Sequence, residues 1–157
     1  MGVLNVTPDS FSDGGQFLEF DSALAHAREM AEQGAQIIDI GGESTRPGSM
    51  RVSLDEEQER VLPVIRAIKD ELKVKVSIDT MNADTAAKAI AAGADIVNDV
   101  SGGLADPQIF AAVAESDCNY VLGHWRGHSD IMDSLTTYSD VAREVVAELA
   151  EQVSMAV

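Results

Sequence analysis

The sequence predicts an α/β protein of the (β/α)8, or TIM, barrel type, incomplete, with about five of the eight βα units present. Three observations lead there. Short apolar runs rich in Val and Ile alternate five times with helical patterns. Runs such as Ile37-Ile38 and Ile96-Val97 are continuously apolar, as in parallel strands buried on both faces. Every run also ends in polar residues: Asn5, then Glu43-Ser44-Thr45-Arg46, Asp79-Thr80, Asn98-Asp99 and His124-Trp125-Arg126. In an open doubly wound sheet, ligand contacts gather near one switch point. In a barrel, all C-terminal strand ends meet at one mouth. Five polar ends out of five favour the barrel. A five-stranded flavodoxin-like sheet, complete at this length, is the rival architecture.

Strands are expected at Gly2–Val6, Gln36–Ile40, Val74–Ile78, Asp95–Val100 and Asn119–Gly123. Helices are expected near 20–34, 53–71, 82–92, 107–116 and 138–157. In the first helix Ala23, Ala27, Met30 and Ala31 share a side at helical spacing, and Gly34 supplies a stop. In the second, Ser53 with Glu56 fits a capping box, and Pro63 should kink or break the helix. In the third, Asn82 or Asp84 is the expected cap and Gly93 the terminator; Asp21 and Asp55 also read as caps. The β-α alternation requires parallel strands with helical crossovers.

No low-complexity tract, Pro-rich linker or charge break divides the chain, so residues 1–157 read as one domain. A barrel takes about 250 residues. The first strand starts without a lead-in, and the pattern stops after five units, so the domain is expected to be truncated at both ends. Five units alone would leave two sheet edges and apolar helix faces uncovered. Instability or self-association is therefore expected of these 157 residues by themselves.

Charge narrows the function classes. The net charge of -16, from 27 acids against 11 bases, repels nucleic acid phosphates and disfavours that partner. The acids gather on expected helices, with Asp55, Glu56, Glu57 and Glu59 on one and Glu144, Glu148 and Glu151 on another. They read as solvated outer faces. No apolar run approaches the roughly 18 residues of a membrane span, and no signal peptide pattern opens the chain. The single cysteine, Cys118, cannot form an internal disulfide and reads as a small buried hydrophobe. Together these features point to the cytoplasm, with neither membrane nor nucleic acid as partner.

Two segments carry chemistry. Gly2–Gly15, GVLNVTPDSFSDGG, runs from a strand into a loop holding Asp9, Ser10, Phe11, Ser12 and Asp13. It reads either as a turn whose Asp and Ser residues bond their own backbone, or as a substrate lid presenting one aromatic and one carboxylate. Gly41–Gly48, GGESTRPG, combines two glycines that permit close backbone approach with the Thr45 hydroxyl, the Arg46 cation and the stiff Pro47. The planar fork of an arginine suits pyrophosphate or carboxylate. His124 stands at the end of the fifth strand, but His26 and His128 show no ligand spacing with it, so His124-Trp125 reads as shaping the mouth. Asp99 reads as a cap or loop brace.

NVTPDSFSDGG followed by GGESTRPG, then SIDT (Ser77–Thr80), VNDVSGG (Val97–Gly103) and VLGHWRG (Val121–Gly127), resembles the dihydropteroate synthase family over essentially the whole chain. The resemblance implies a TIM barrel and a transferase of folate biosynthesis. Its reaction condenses 6-hydroxymethyl-7,8-dihydropterin diphosphate with p-aminobenzoate to give 7,8-dihydropteroate and pyrophosphate. It implies that Asp79 and Asn98 hydrogen-bond the pterin ring, that Asn5 helps hold Mg2+ or the diphosphate, and that Thr45 touches the pterin or its diphosphate arm. Arg46 would sit near the pyrophosphate, Phe11 and Pro47 would wall the p-aminobenzoate slot, and Asp13 would lie near the reacting carbon. The family commonly forms homodimers.

The sequence departs from the family pattern at Gly123, where Met is expected, which should loosen packing under the pterin. A further pterin-binding Asp, a Lys and an Arg with a His are expected in family members beyond the position of Val157, so these residues alone are expected to be inactive. Two rival functions follow from the same resemblance: a non-catalytic pterin-binding homologue, and a folate-dependent methyltransferase domain.

Overall fold

The computed structural model describes residues 1–7, 15–43, 52–128 and 131–157, with residues 15–19 described in backbone only. The elements are β1 (Gly2–Asn5), α1 (Gly15–Glu32), β2 (Ile37–Gly41), α2 (Leu54–Glu71), β3 (Lys75–Asp79), α3 (Ala83–Ala91), β4 (Ile96–Asp99), α4 (Gln108–Ala114), β5 (Asn119–Leu122) and α5 (Val141–Ala156). A 3-10 turn at Met132–Leu135, which the sequence patterns did not disclose, precedes α5.

All neighbouring strands are parallel, and their spatial order is β1-β2-β3-β4-β5. That order decides between the two architectures. Each crossover steps to the next strand in the same direction, and right-handed crossovers in one direction place every helix on one face. A doubly wound sheet needs a reversal of strand order, and none occurs among the described strands. The sheet is an arc of a barrel, so the flavodoxin-like rival is excluded.

Register follows from the side-chain period of two. Leu4, Ile40, Ile78 and Val97 pair across β1 to β4 as one row, and Ile38 pairs with Val76 in another. These rows face the helices and are fully or nearly fully buried against Ala23 and Ala27 of α1, Val61, Val64, Ile65 and Ile68 of α2, and Ala86 and Ala89 of α3. The alanines on α1 and α3 let those helices approach the sheet closely. The opposite face of the sheet, freed of core duty, lines the barrel interior.

Pro63 does not break α2, which runs unbroken from Leu54 to Glu71. An interior proline costs about 3 kcal/mol. Burial of Val61, Val64, Ile65 and Ile68 contributes roughly 1.5–3 kcal/mol each and outweighs it. Only half the expected capping box forms: Ser53 Oγ accepts from the Glu56 N–H at 3.3 Å, while the Glu56 carboxylate turns to Arg60. Asp55 lies in the first turn rather than at the cap, and Asp21 lies inside α1. On α3 neither expected side chain caps. Asp84 pairs with Lys88, and the Ala83 N–H is taken instead by Asp106 Oδ2 at 2.9 Å from the loop before α4. Gly34 and Gly93 end their helices at positive φ, as glycine permits. Cys118 is half-buried rather than buried, its Sγ donating to the Ala94 carbonyl at 2.9 Å. Among the described residues no helix is long and apolar enough to cross a membrane.

Candidate active site at the strand ends

The inner face carries a second set of rows. Asn5 pairs with Gly41, Gly41 with Asp79, and Asp79 with Asn98, so these four residues from four strands stand at one level. Paired residues of parallel strands project to the same side. Asn5, Asp79 and Asn98 therefore share the face opposite the Leu4–Val97 row. Gly41 keeps the middle open: a Cβ there would lie 3.6 Å from both Asn5 Oδ1 and Asp79 Oδ2. One step deeper, Asp39 pairs with Ser77 and Ser77 with Ile96. Asp39 is 5% exposed, and its Oδ2 accepts from Asn98 Nδ2 at 3.1 Å.

The level is strongly anionic. Burial pushes the Asp79 carboxyl up to about 7, aided by the negative charges of Asp39, Asp99, Glu57 and Glu43. A carboxyl balanced in this range accepts two N–H donors when ionised and offers an O–H when protonated. A carboxyl so shifted, among polar side chains converging from four strand ends, makes this level the candidate ligand site.

The surrounding loops are built to hold this level still. Asp99 is buried and accepts from Ser101 N–H (2.8 Å), Ser101 Oγ (2.7 Å), Gly103 N–H (2.8 Å) and Tyr120 Oη (2.7 Å). It braces the loop after β4, as one of its two sequence readings had it. Burial and the bond to Asp99 raise the Tyr120 phenol. Glu57 is the larger surprise. Expected on a solvated face, it is 1% exposed and accepts from Thr80 Oγ1 (2.7 Å), Asn82 Nδ2 (2.8 Å) and Thr85 Oγ1 (2.6 Å). Beside it, Arg60 donates to the Gly42 carbonyl at 2.8 Å. Helix α2 thus ties the loop after β2 to the loop after β3.

The fifth strand end serves α5. His124 Nε2 lies 2.6 Å from Glu148 Oε2. Arg126 donates to Glu148 and Glu144 and stacks 3.8 Å over the Tyr138 ring. Glu144 and Glu148, expected on a solvated outer face, are partly exposed and paired with Arg126. Arg126, then His124, draws the Glu148 carboxyl down to about 2. Gly123 does not loosen its surroundings: a Cβ there would lie 2.7 Å from the Val100 backbone.

A family model described as pterin binding enzyme matches residues 1–157. The chain belongs to that family. Among curated relatives it is 48% identical over 156 residues to the dihydropteroate synthase of Synechocystis sp., covering 99% of this chain and 54% of the relative. It is 49% identical over 157 residues to that of Bacillus subtilis, covering 100% and 53%. It also matches the solved dihydropteroate synthase of Xanthomonas albilineans with 4-aminobenzoic acid (TM-score 0.89, 42% identity, 99% of this chain and 54% of that one). The dihydropteroate synthase of Anaplasma phagocytophilum with bound 6-hydroxymethylpterin-monophosphate matches with TM-score 0.85 at 38% identity, over 99% and 60%. The chain spans about half the length of the curated relatives it matches. As a pterin-binding enzyme chain, it carries part of a TIM barrel, in agreement with the strand order.

Of the residues read from sequence, the structure brings Asn5, Asp79 and Asn98 together. Phe11, Asp13, Thr45, Arg46 and Pro47 lie outside the described residues. Asp39 and Glu57 were not anticipated. For Asp39 the signal was a carboxylate inside the apolar run IIDIG, in antiphase with Ile38 and Ile40. For Glu57 it was helical spacing with Val61, Val64 and Ile68, which places it on the buried stripe.

Proposed function

We propose that this chain forms the dihydropterin-binding part of a dihydropteroate synthase. That transferase joins 6-hydroxymethyl-7,8-dihydropterin diphosphate to p-aminobenzoate, releasing pyrophosphate. The observation that carries the reading is the single level of Asn5, Gly41, Asp79 and Asn98 at the barrel mouth. A flat aminopterin edge alternates donors and acceptors. Ionised Asp79 would accept from the 2-amino and ring N–H groups, and the Asn98 amide can both donate and accept.

Substitution at the exocyclic carbon proceeds here by departure of pyrophosphate before attack by the arylamine. Carboxylates near the ring stabilise the positive charge that spreads into the pterin. The acidic surroundings of Asp79 suit that charge. No side chain needs to become covalently bound. From the family resemblance, Arg46 would sit near the leaving pyrophosphate, Thr45 would touch the pterin or its diphosphate arm, Phe11 and Pro47 would wall the p-aminobenzoate slot, and Asp13 would lie near the reacting carbon.

Mg2+ fits this donor set as a passenger of the diphosphate. Among the described residues no group of three His, Cys, Asp or Glu side chains forms a metal cage. Asn5 offers one amide oxygen at the mouth, and Mg2+ typically takes one or two protein ligands with phosphate oxygens and water. When bound, the ion would offset charge on the leaving group. We place the protein in the cytoplasm, as a homodimer when the barrel is whole, with residues 1–157 as one part of the barrel domain.

The test is an assay of the full gene product with the pterin diphosphate and p-aminobenzoate. Pyrophosphate and dihydropteroate should form in equal amounts with no methyl donor present. Pterin binding without pyrophosphate release would identify a non-catalytic homologue. Methyl transfer from a folate would identify a methyltransferase.

A further inference from the structure

Among the described residues, two polar atoms deep on the inner face are buried without a hydrogen-bond partner: Asp39 Oδ1 and Ser77 Oγ. They belong to residues paired across β2 and β3, directly beneath the level of Gly41 and Asp79. The other Asp39 oxygen is engaged, since Asn98 Nδ2 donates to it at 3.1 Å. This bond has a directional consequence. An amide can turn either end toward a ligand, but an ionised carboxylate only accepts. Asp39 therefore selects the amino end of the Asn98 amide for itself. The carbonyl oxygen and the second N–H are left for whatever occupies the mouth.

We propose that Asp39 is a positioning residue of the pterin site: it fixes the orientation of the Asn98 amide, and with Ser77 it forms a polar floor that receives one N–H or O–H donor from above. The inference rests on the pterin-binding reading. The placement of Asp39 favours it over a purely structural role. The buried carboxylates Asp99 and Glu57, which brace loops, each hold several donors. Asp39 is also buried, yet among the described residues it keeps one oxygen without a partner. A buried acceptor held open is costly unless something fills it.

Asp39 also acts on Asp79 by charge. The acids bearing on Asp79 are Asp39 on β2, Asp99 on β4, Glu57 on α2 and Glu43 after β2, and all hold its proton on. Removing the Asp39 charge should ease ionisation of Asp79, a change that loss of packing alone would not produce.

The experiment measures the affinity of the full gene product for 6-hydroxymethylpterin across pH 5.5–9, for the wild type, Asp39→Asn, Asp39→Ala, Asn98→Ala and the Asp39→Ala/Asn98→Ala double variant. Asp39→Ala should weaken binding roughly tenfold or more. The double variant should lose less than the sum of the two single losses, because part of the Asp39 effect passes through Asn98. Asp39→Asn, nearly isosteric and safer for folding, should move the midpoint of the pH dependence downward. Unchanged affinity in Asp39→Ala, strictly additive losses, or an unmoved midpoint would overturn the inference. If the wild type does not bind the pterin, the functional reading fails instead. The Asn98 side-chain amide signal in NMR then decides alone: exchange protection lost in Asp39→Ala supports the coupling, and unchanged protection refutes it.

Discussion

The Thr80 hydroxyl donates to Glu57 Oε1 at 2.7 Å, joining the residue that follows β3 to a buried carboxylate on α2. Asn82 and Thr85 donate to the other oxygen, so one carboxylate collects three donors from the segment just past Asp79. Gly42 packs against the same residue, where a Cβ would lie 3.3 Å from Glu57 Cγ. Glu57→Ala would strand the buried Thr80 and Thr85 hydroxyls and take one acceptor from the half-buried Asn82 amide. It should destabilise the protein by about 2–4 kcal/mol, measured by urea unfolding. Glu57→Gln, which keeps one acceptor, should cost less. Equal stability of wild type and Glu57→Ala would show that the network carries no weight.

Asp79 gives a pH dependence whose sign can be worked out. Its folded value of about 7 lies above the ordinary 3.8. The folded state therefore holds the proton more tightly than the unfolded chain. Stability from this group is fully present below about pH 3.8 and is lost as pH rises to about 7. Asp79→Asn should thus be more stable than wild type at pH 8, by about 2 kcal/mol after allowance for partial solvent screening. The gain should shrink toward pH 4. Pterin affinity should run the other way in the wild type, rising with pH through about 7 as the carboxylate forms. A flat stability difference between the two proteins across pH 4–8 would rule the buried proton out.

Much of this arrangement was legible in the sequence. The Val and Ile runs placed each strand to within a residue or two, and Gly34 and Gly93 marked two helix ends because only glycine takes their positive φ readily. Asn5, Asp79 and Asn98 stood out as polar residues closing apolar runs, and parallel pairing brings such ends to one level. Other features depend on partners distant in the chain. Helical spacing sets Glu57 on the buried stripe, apart from Asp55, Glu56 and Glu59, but only the donors from residues 80–85 account for a carboxylate there. The cap of α3 comes from Asp106, which no local pattern around Asn82 can reveal. Pro63 misleads because its penalty is local, whereas the burial that outweighs it is tertiary.

Arg126 offers a test of how α5 is held. It donates to Glu148 at 2.5 and 3.2 Å and to Glu144 at 3.1 Å, bridging the end of β5 to the helix. Arg126→Ala should speed amide hydrogen exchange in Val141–Ala156 while leaving β2 and β3 protected. In the wild type, the Glu148 carboxyl is lowered to about 2 from 4.5. Its contribution is therefore present above pH 4.5 and fades as pH falls toward 2. Exchange in α5 should accelerate over that window in the wild type and respond less in the variant. Identical exchange in both proteins at pH 7 would mean that apolar contacts alone dock the helix.

Gly123 tests whether β5 and the loop after β4 are as tightly apposed as their backbones indicate. A Cβ at this position would approach the Val100 Cα and carbonyl oxygen to 2.7 Å, closer than real Cβ atoms come. Across the same gap, a Cβ on Gly102 would lie 2.6 Å from the Gly123 carbonyl, and Gly102 sits at φ 60°. The obstacle at 123 is backbone, which cannot swing aside as a flexible side chain can. Gly123→Ala should therefore cost about 1–3 kcal/mol through overpacking, and Gly123→Met at least as much. Because Asn98 and Asp99 pair with Val121 and Leu122 on β5, the strain would pass into the strand that presents Asn98. Pterin affinity should then fall together with the melting temperature in Gly123→Met. A variant that melts like the wild type and binds pterin more tightly would reverse the expectation, showing that the loop yields and that methionine improves the pocket.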